Sequence, residues 1–276
     1  MRLILLTFVT MCAFAANSVL TRAAVDGGHI GPEAFAVIRV AAGAAVLGMI
    51  ALWRGASIPL WGRARLTGAL SLTAYMAGFS LAYVTLDAGL GALILFGVTQ
   101  IAMFAHAAWA GERPGARRMT GAGVAFGGLV LVLWPGTGSA VDPVGALLMV
   151  LAGLGWAAYT VAGRGAADPL AATGANFILC LPLVALLLIG ADLAADARGV
   201  LLAVLSGGVM SGLGYALWYT VLRQMQGTTA AVVQLSVPVL ALIAGVLLLG
   251  EAVPPVGLLA AACVVGGIGW AVTARR

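Results

Sequence analysis

The chain has 276 residues, of which 63% are hydrophobic and only 8% charged. A soluble domain carries about a quarter charged residues, so a water-soluble fold could not hide this much apolar surface, and lipid is the expected solvent. The net charge of +5 comes from fourteen basic residues, all of them Arg; they are scattered over segment ends and form no continuous basic face, which argues against a nucleic-acid partner.

Crossing a bilayer takes about 20 mostly apolar residues per helix. Ten segments meet that requirement, at roughly 3–21, 34–53, 66–85, 88–109, 118–134, 144–163, 171–190, 200–222, 228–249 and 256–273. The first begins like a signal peptide, with Arg2, an apolar run and Ala13-Phe14-Ala15. It is nevertheless expected to be retained, because it has an internal counterpart in the second half. Pro32, Pro59, Pro114, Pro135, Pro143, Pro169, Pro254 and Pro255 fall at segment boundaries, as suits a residue that cannot continue a helix ladder. Pro182 and Pro238 fall inside segments and predict kinks. Cys12, Cys180 and Cys263 lie in apolar runs without metal or redox spacing and read as small buried hydrophobes.

Charge sets the orientation. With the N-terminus in the cytoplasm, Arg2, Arg54, Arg63, Arg65, Arg113, Arg117, Arg118, Arg164, Arg223, Arg275 and Arg276 lie inside, and only Arg22 and Arg198 outside. That is a strong positive-inside bias. An even number of spans returns the C-terminus to the cytoplasm, in an inner (plasma) membrane multi-pass protein.

The same line is written twice. FAANSVLTR, Phe14 to Arg22, matches WAAYTVAGR, Trp156 to Arg164. Pro32 before span 2 matches Pro169 before span 7, and Gly111-Glu112 after span 4 matches Gly250-Glu251 after span 9. The halves, 1–137 and 142–276, therefore read as two five-span units. Five is odd, so the second copy enters the membrane inverted, and inverted repeats are a transporter architecture. The Arg that ends GPEAFAVIR in span 2, the two Gly-Glu turns and the ten-span duplication make the whole chain resemble EamA-type members of the drug/metabolite transporter superfamily. Within them it is most similar to the YddG-type amino-acid exporters. One departure is in span 4, where Thr99 stands opposite Pro238.

Three segments carry aromatic stripes. Tyr75, Phe79 and Tyr83 are spaced i, i+4, i+8 in span 3; Trp156 and Tyr159 share a face of span 6; Tyr215, Trp218 and Tyr219 share one of span 8. An interfacial belt accounts for Trp53, Trp61, Trp109, Trp134 and Trp270 at span ends, but not for rings well inside a span. The expectation is a central aromatic-lined cavity for a small-molecule substrate. Asn17, Gln100 and Gln234 read either as interhelical hydrogen-bond partners or as substrate contacts. Asn17 stands out because it occupies the repeat position of Tyr159. Arg39, the one basic residue well inside a span, is expected to snorkel outward or to pair with Glu33, the alternative being a carboxylate ligand. His106 reads as a packing histidine, with a proton site as the alternative.

All nine acidic residues lie at or beyond span ends. No mid-membrane carboxylate is present for an ion relay, so transport driven by the substrate's own gradient is expected. Glu112 and Glu251 are expected to cap turns and to meet an Arg or a backbone amide. Gly123 with Gly127 and Gly208 with Gly212 have the spacing of close helix crossings. Gly153 to Ala158 fits a dinucleotide fingerprint but lies within a span, where it carries no cofactor meaning. The composite expectation is an all-α, non-enzymatic transporter working as a monomer in the lipid bilayer, without cofactor or metal. It exports small metabolites, amino acids foremost and aromatic ones included, with Pro238 as a hinge. The alternatives are proton-coupled transport of other metabolites or drugs, and a non-transporting scaffold or sensor.

Overall fold

A computed structural model of the chain describes residues 2–109, 115–133, 141–163, 166–222, 224 and 233–272. The helices are α1 (Arg2–Val25), α2 (Pro32–Trp53), α3 (Arg63–Ala82), α4 (Ala88–Trp109), α5 (Ala116–Leu133), α6 (Pro143–Gly163) and α7 (Pro169–Ala185). After α7 comes a short 3-10 turn, Leu186–Leu188. Helix α8 (Ala197–Val204) passes through a π-helical stretch, Leu205–Leu213, into α9 (Gly214–Leu222). Helix α10 (Ser236–Ala244) ends in π turns, Gly245–Leu249, and α11 (Pro255–Val272) follows. Among the described residues six stretches are long and apolar enough to cross a membrane: Arg2–Val25, Pro32–Trp53, Ala88–His106, Pro143–Gly163, Pro169–Leu188 and Ala197–Trp218. Met119–Leu131, Ser236–Leu249 and Pro255–Ala271 are apolar but shorter.

The boundary acids have a local purpose. A helix N-terminus leaves backbone N–H groups unpaired and carries the positive end of the helix dipole. The Asp168 carboxylate accepts from Leu170 N and Ala171 N at the start of α7, and that of Asp196 accepts from Gly199 N in α8. Asp142 accepts from Gly145 N at 2.6 Å in α6. Pro32, Pro143, Pro169 and Pro255 each stand first in a helix, where the missing N–H costs nothing. Pro238 follows a break at Leu235, in accord with the ring's clash with the preceding turn.

The helices pair in a regular way. Helix α2 packs on α7, and α5 on α11. Helices α3 and α4 both pack on α6, as the α8–α9 stretch and α10 pack on α1. Small residues make these approaches close: a Cβ on Gly121 would meet Gly267 O and lie 2.7 Å from Ala271 N, and one on Gly128 would lie 3.0 Å from Ala260 O. The spacing-based expectation for Gly123 and Gly127 is corrected here, because both face open space. Spacing marks a smooth helix face; it does not say which face has a neighbour. The rim of the bundle is apolar, with Leu52, Trp53, Trp61, Trp109 and Leu247 exposed. In water such a surface would aggregate; in a bilayer it is the solvated side.

Candidate functional site

Arg39 lies on α2 and is 0% exposed. Its Nε donates to Ser211 Oγ at 3.2 Å and its Nη2 to the Tyr75 hydroxyl at 3.1 Å. The guanidinium carbon sits 4.6 Å from the Phe79 ring centroid and 5.5 Å from that of Tyr75. Arg39 neither snorkels nor pairs with Glu33: among the described residues no carboxylate forms an ion pair with it. At Arg39 the α2 backbone also runs close to the π-helical stretch. A Cβ added to Gly207 would overlap the Arg39 carbonyl oxygen and lie 2.7 Å from Arg39 Cα.

The π-helical stretch also organises Asn17. A π-helix repeats its hydrogen bonds at i to i+5, so Ser206 and Ser211 lie on one face. Ser206 Oγ donates to Asn17 Oδ1 at 2.8 Å and Ser211 Oγ to the same oxygen at 3.4 Å. One polar chain thus runs from Tyr75 through Arg39 and Ser211 to Asn17 and Ser206, joining α3, α2, the π-helical stretch and α1. Buried polar groups require such partners.

Around this chain the aromatic stripes converge. Trp156 lies 5.1 Å from Tyr75, 5.1 Å from Tyr215 and 6.1 Å from Phe14, centroid to centroid, and stacks on Tyr159 at 5.6 Å. Phe14 also meets Tyr215 and Trp218, each at 5.8 Å, and Phe79 bridges Tyr75 at 5.3 Å to Tyr83 at 4.8 Å. The aromatic-lined centre is nearly filled in this conformation. The void bounded by Phe14, Asn17, Tyr75, Phe79, Trp156 and Tyr215 has a volume of about 10 Å³, room for about one water molecule. The rings fill the centre by stacking on one another. Two donors of this cluster, Arg39 Nη1 and Trp156 Nε1, have no hydrogen-bond partner among the described residues.

The other expected site residues divide. Gln100 and Gln234 are buried but do not border the central void, and Gln100 Nε2 is also unpaired among the described residues. Pro238 is buried in α10. The Tyr219 side chain, Arg164 and the whole of Gly111-Glu112 lie outside the described residues. His106 is exposed and so is not a packing histidine. It lines a cleft of about 530 Å³ between α3, α4 and α6, together with Arg63, Thr67, Ala102 and Leu154. Phe14 was not among the expected site residues, although its match to Trp156 in the repeat is the signal that could have found it.

The two ends of the bundle differ. At one end Arg22, 14% exposed, meets Asp26 at 3.1 Å, Asp87 at 3.4 Å and Glu251 at 3.9 Å. It also donates to the carbonyls of Tyr83 and Val84, each at 3.1 Å. Glu251 accepts from Ala88 N at 2.7 Å, reaching across to cap α4. At this same end Ile30 bridges Ala195, and His29 Nδ1 contacts Asp196 at 2.7 Å. The cleft lies toward the opposite end, where Arg54 and Asp168 stand 3.7 Å apart.

Burial raises the pKa of Glu251 above its ordinary 4.5, more than its hydrogen bond to Ala88 lowers it. A carboxyl with a raised folded-state pKa favours the folded state in its protonated form. Its contribution is therefore full below the ordinary pKa and is lost as pH rises through the raised one. The melting temperature of the purified protein should fall with rising pH in a window that starts near 4.5 and extends upward. Glu251→Gln keeps an acceptor for Ala88 and should flatten that slope; superimposable melting curves for the two proteins would contradict the assignment. Asp196 works in the opposite sense. Its pKa is lowered by Gly199 N and His29, so its contribution is lost as pH falls below about 3.8, outside the Glu251 window.

A sequence profile of the EamA-like transporter family matches residues 1–134 and, a second time, residues 143–273. The chain belongs to the EamA-like transporter family. The EamA-family chain is 46% identical over 270 residues to Uncharacterized protein PA1977 of Pseudomonas aeruginosa, covering 97% of this chain and 93% of that protein. A crystal structure of a protein 21% identical to it superposes with a TM-score of 0.70, over 97% of this chain and 98% of the other, which shows a common fold. As an EamA-family protein it is a multi-pass membrane protein of a transporter family, and that family is not one of enzymes.

Proposed function

We propose that this EamA-family protein is a secondary-type carrier that exports small metabolites by alternating access, in the manner of the YddG-type exporters. Amino acids, hydrophobic and aromatic ones included, are its first substrates. One observation carries the reading: a carboxylate-free buried arginine and a set of packed rings occupy the point where helices of both halves meet. A cleft approaches that point from one end, and a set of ion pairs ties the other end shut.

The reading counts α3 and the shorter apolar stretches as spans, which makes ten in two inverted five-helix repeats, 1–137 and 142–276. The packing pattern supports this. A pseudo-twofold that exchanges the halves turns the α3–α6 contact into the α8–α1 contact and leaves the α2–α7 and α5–α11 pairs on themselves. Repeat-matched Phe14 and Trp156 touch, as residues beside such an axis do. The Arg count favours cytoplasmic termini in the inner membrane. The cleft then opens toward the cytoplasm, and the Arg22 cluster seals the outer side.

Transport follows from these parts. Substrate enters the cleft and displaces the rings that fill the centre. One bundle rocks against the other around the midplane site. The backbone change is absorbed where the helix ladder is already interrupted, at Pro238 and the π turns. Opening the outer side requires Arg22 to leave Asp87 and Glu251, which sit on loops of different halves. The carrier functions as a monomer and is driven by the substrate gradient.

Purified protein in liposomes loaded with a mixed pool of labelled amino acids tests this. Efflux driven by the amino-acid gradient alone is expected. Efflux only under an imposed pH gradient would replace gradient-driven export with proton coupling, with Glu251 or His106 as the proton site. No efflux of any amino acid under either condition would overturn the substrate assignment.

A further inference from the structure

We propose that Arg39 is the seat of a substrate carboxylate, and that the preferred substrates pair one carboxylate with an apolar or aromatic group. The inference rests on the carrier reading and names the chemistry its site selects.

The argument is a count of donors against acceptors. A guanidinium has five N–H groups and accepts nothing; an indole N–H also only donates. Arg39 Nε and Nη2 are used by Ser211 and Tyr75, while Nη1 is unpaired among the described residues. Trp156 Nε1, also buried, is unpaired as well. These side chains form one connected group. Arg39 lies over Tyr75 and Phe79, Tyr75 meets Trp156, and Trp156 meets Tyr159 and Tyr215. The acceptors of the polar chain are already engaged: Asn17 Oδ1 takes two hydroxyls, and the Ser211 and Tyr75 oxygens take Arg39. Two groups that can only donate, Arg39 Nη1 and Trp156 Nε1, are thus left without an acceptor among the described residues.

Charge points the same way. Removing a guanidinium from water without a counter-ion is costly. The rings of Phe79 and Tyr75 offset part of that cost through their quadrupoles, yet a full positive charge is left without an anion among the described residues. A carboxylate supplies the missing charge and two oxygens, with about four lone-pair sites for the unpaired donors. One arginine balances one negative charge, so a phosphate dianion fits less well. The walls are rings, so the rest of the substrate is apolar. An α-ammonium group, where there is one, finds ring faces rather than a carboxylate.

The test is a competition series in proteoliposomes carrying a labelled aromatic amino acid. The competitors are the unlabelled parent, its carboxamide, its decarboxylated amine and its des-amino carboxylic acid. The parent and the des-amino acid should inhibit flux, and the amide and amine should do so at least about tenfold less well, which is about 1.4 kcal/mol. Arg39→Lys should retain part of that discrimination and Arg39→Gln should lose it. The series on unaltered protein keeps the inference testable if Arg39→Gln does not fold. Flux that the amine or amide inhibits as well as the parent does would overturn the carboxylate seat and leave the carrier reading intact. If no amino acid moves, quenching of tryptophan fluorescence is read with phenylacetate against phenylacetamide, using Trp156→Phe as the control. A response to the acid alone that Trp156→Phe removes would uphold the seat while the amino-acid assignment fails; equal responses, or none, would overturn it.

Discussion

Trp156→Ala should reach the membrane in normal amounts, melt at a lower temperature and move substrate at no more than about a tenth of the rate of the unaltered protein. Insertion depends on the apolar length of α6, which spans Pro143–Gly163 with or without the indole. Stability depends on packing. The indole touches the rings of Phe14, Tyr75, Tyr159 and Tyr215. Each aromatic pair contributes about 0.5–1.5 kcal/mol beyond area burial, and truncating a buried Trp to Ala costs about 3–5 kcal/mol. Flux depends on the same contacts, because Trp156 joins the ring cluster of one half to that of the other. Membrane yield, melting temperature and flux on a single preparation check this. A variant with unaltered flux would contradict the assignment of the ring cluster as the transport site.

Gly207→Ala should yield little folded protein. Gly207 lies in the π-helical stretch against the backbone of α2. An added Cβ would overlap the Arg39 carbonyl oxygen and lie 2.7 Å from Arg39 C and Cα. These are main-chain atoms and cannot turn aside as a side chain could, so the helices must separate. Separation would take Ser211 from Arg39 and both serines from Asn17, leaving several buried polar groups unpaired at about 1–3 kcal/mol each. Gly208→Ala is the control, since its nearest neighbour is a Val46 methyl at 3.2 Å, which can give. Monodisperse yield in detergent should be near that of the unaltered protein for Gly208→Ala and several-fold lower for Gly207→Ala. Equal yields would contradict the close approach of α2 and the π-helical stretch.

Helix boundaries were legible because their causes are local. Proline ends a ladder and aspartate caps one within three residues, as Asp142, Asp168 and Asp196 do. The convergence of Tyr75, Trp156 and Tyr215 was legible as well, since each stripe has helical spacing and lies deep in its span. The Glu251 role followed from its Gly-Glu turn, and its partners proved to be Arg22 and Ala88 N.

What was hidden depends on distance along the chain or on conformation. Arg39 takes its partners from positions 172 and 36 residues away, so no local pattern could favour them over Glu33 six residues earlier. The π-helical stretch, Leu205–Leu213, reads as an ordinary apolar run with glycines, yet it brings Ser206 and Ser211 onto one oxygen. The size of the central void follows from how the rings stack in one conformation, which composition does not encode. His106 sits near a helix end where apolar neighbours suggested packing, but it is exposed and lines the cleft.

Counterflow in proteoliposomes tests the alternating-access account most directly. Vesicles preloaded with unlabelled substrate are diluted into a trace of the same substrate in labelled form, with no ion gradient. A carrier whose site faces one side at a time takes up label transiently above equilibrium, because outgoing unlabelled molecules return the site loaded. The account predicts that overshoot for the unaltered protein and its loss in Trp156→Ala. Label that rises monotonically to equilibrium at the same rate with and without preloading would contradict it.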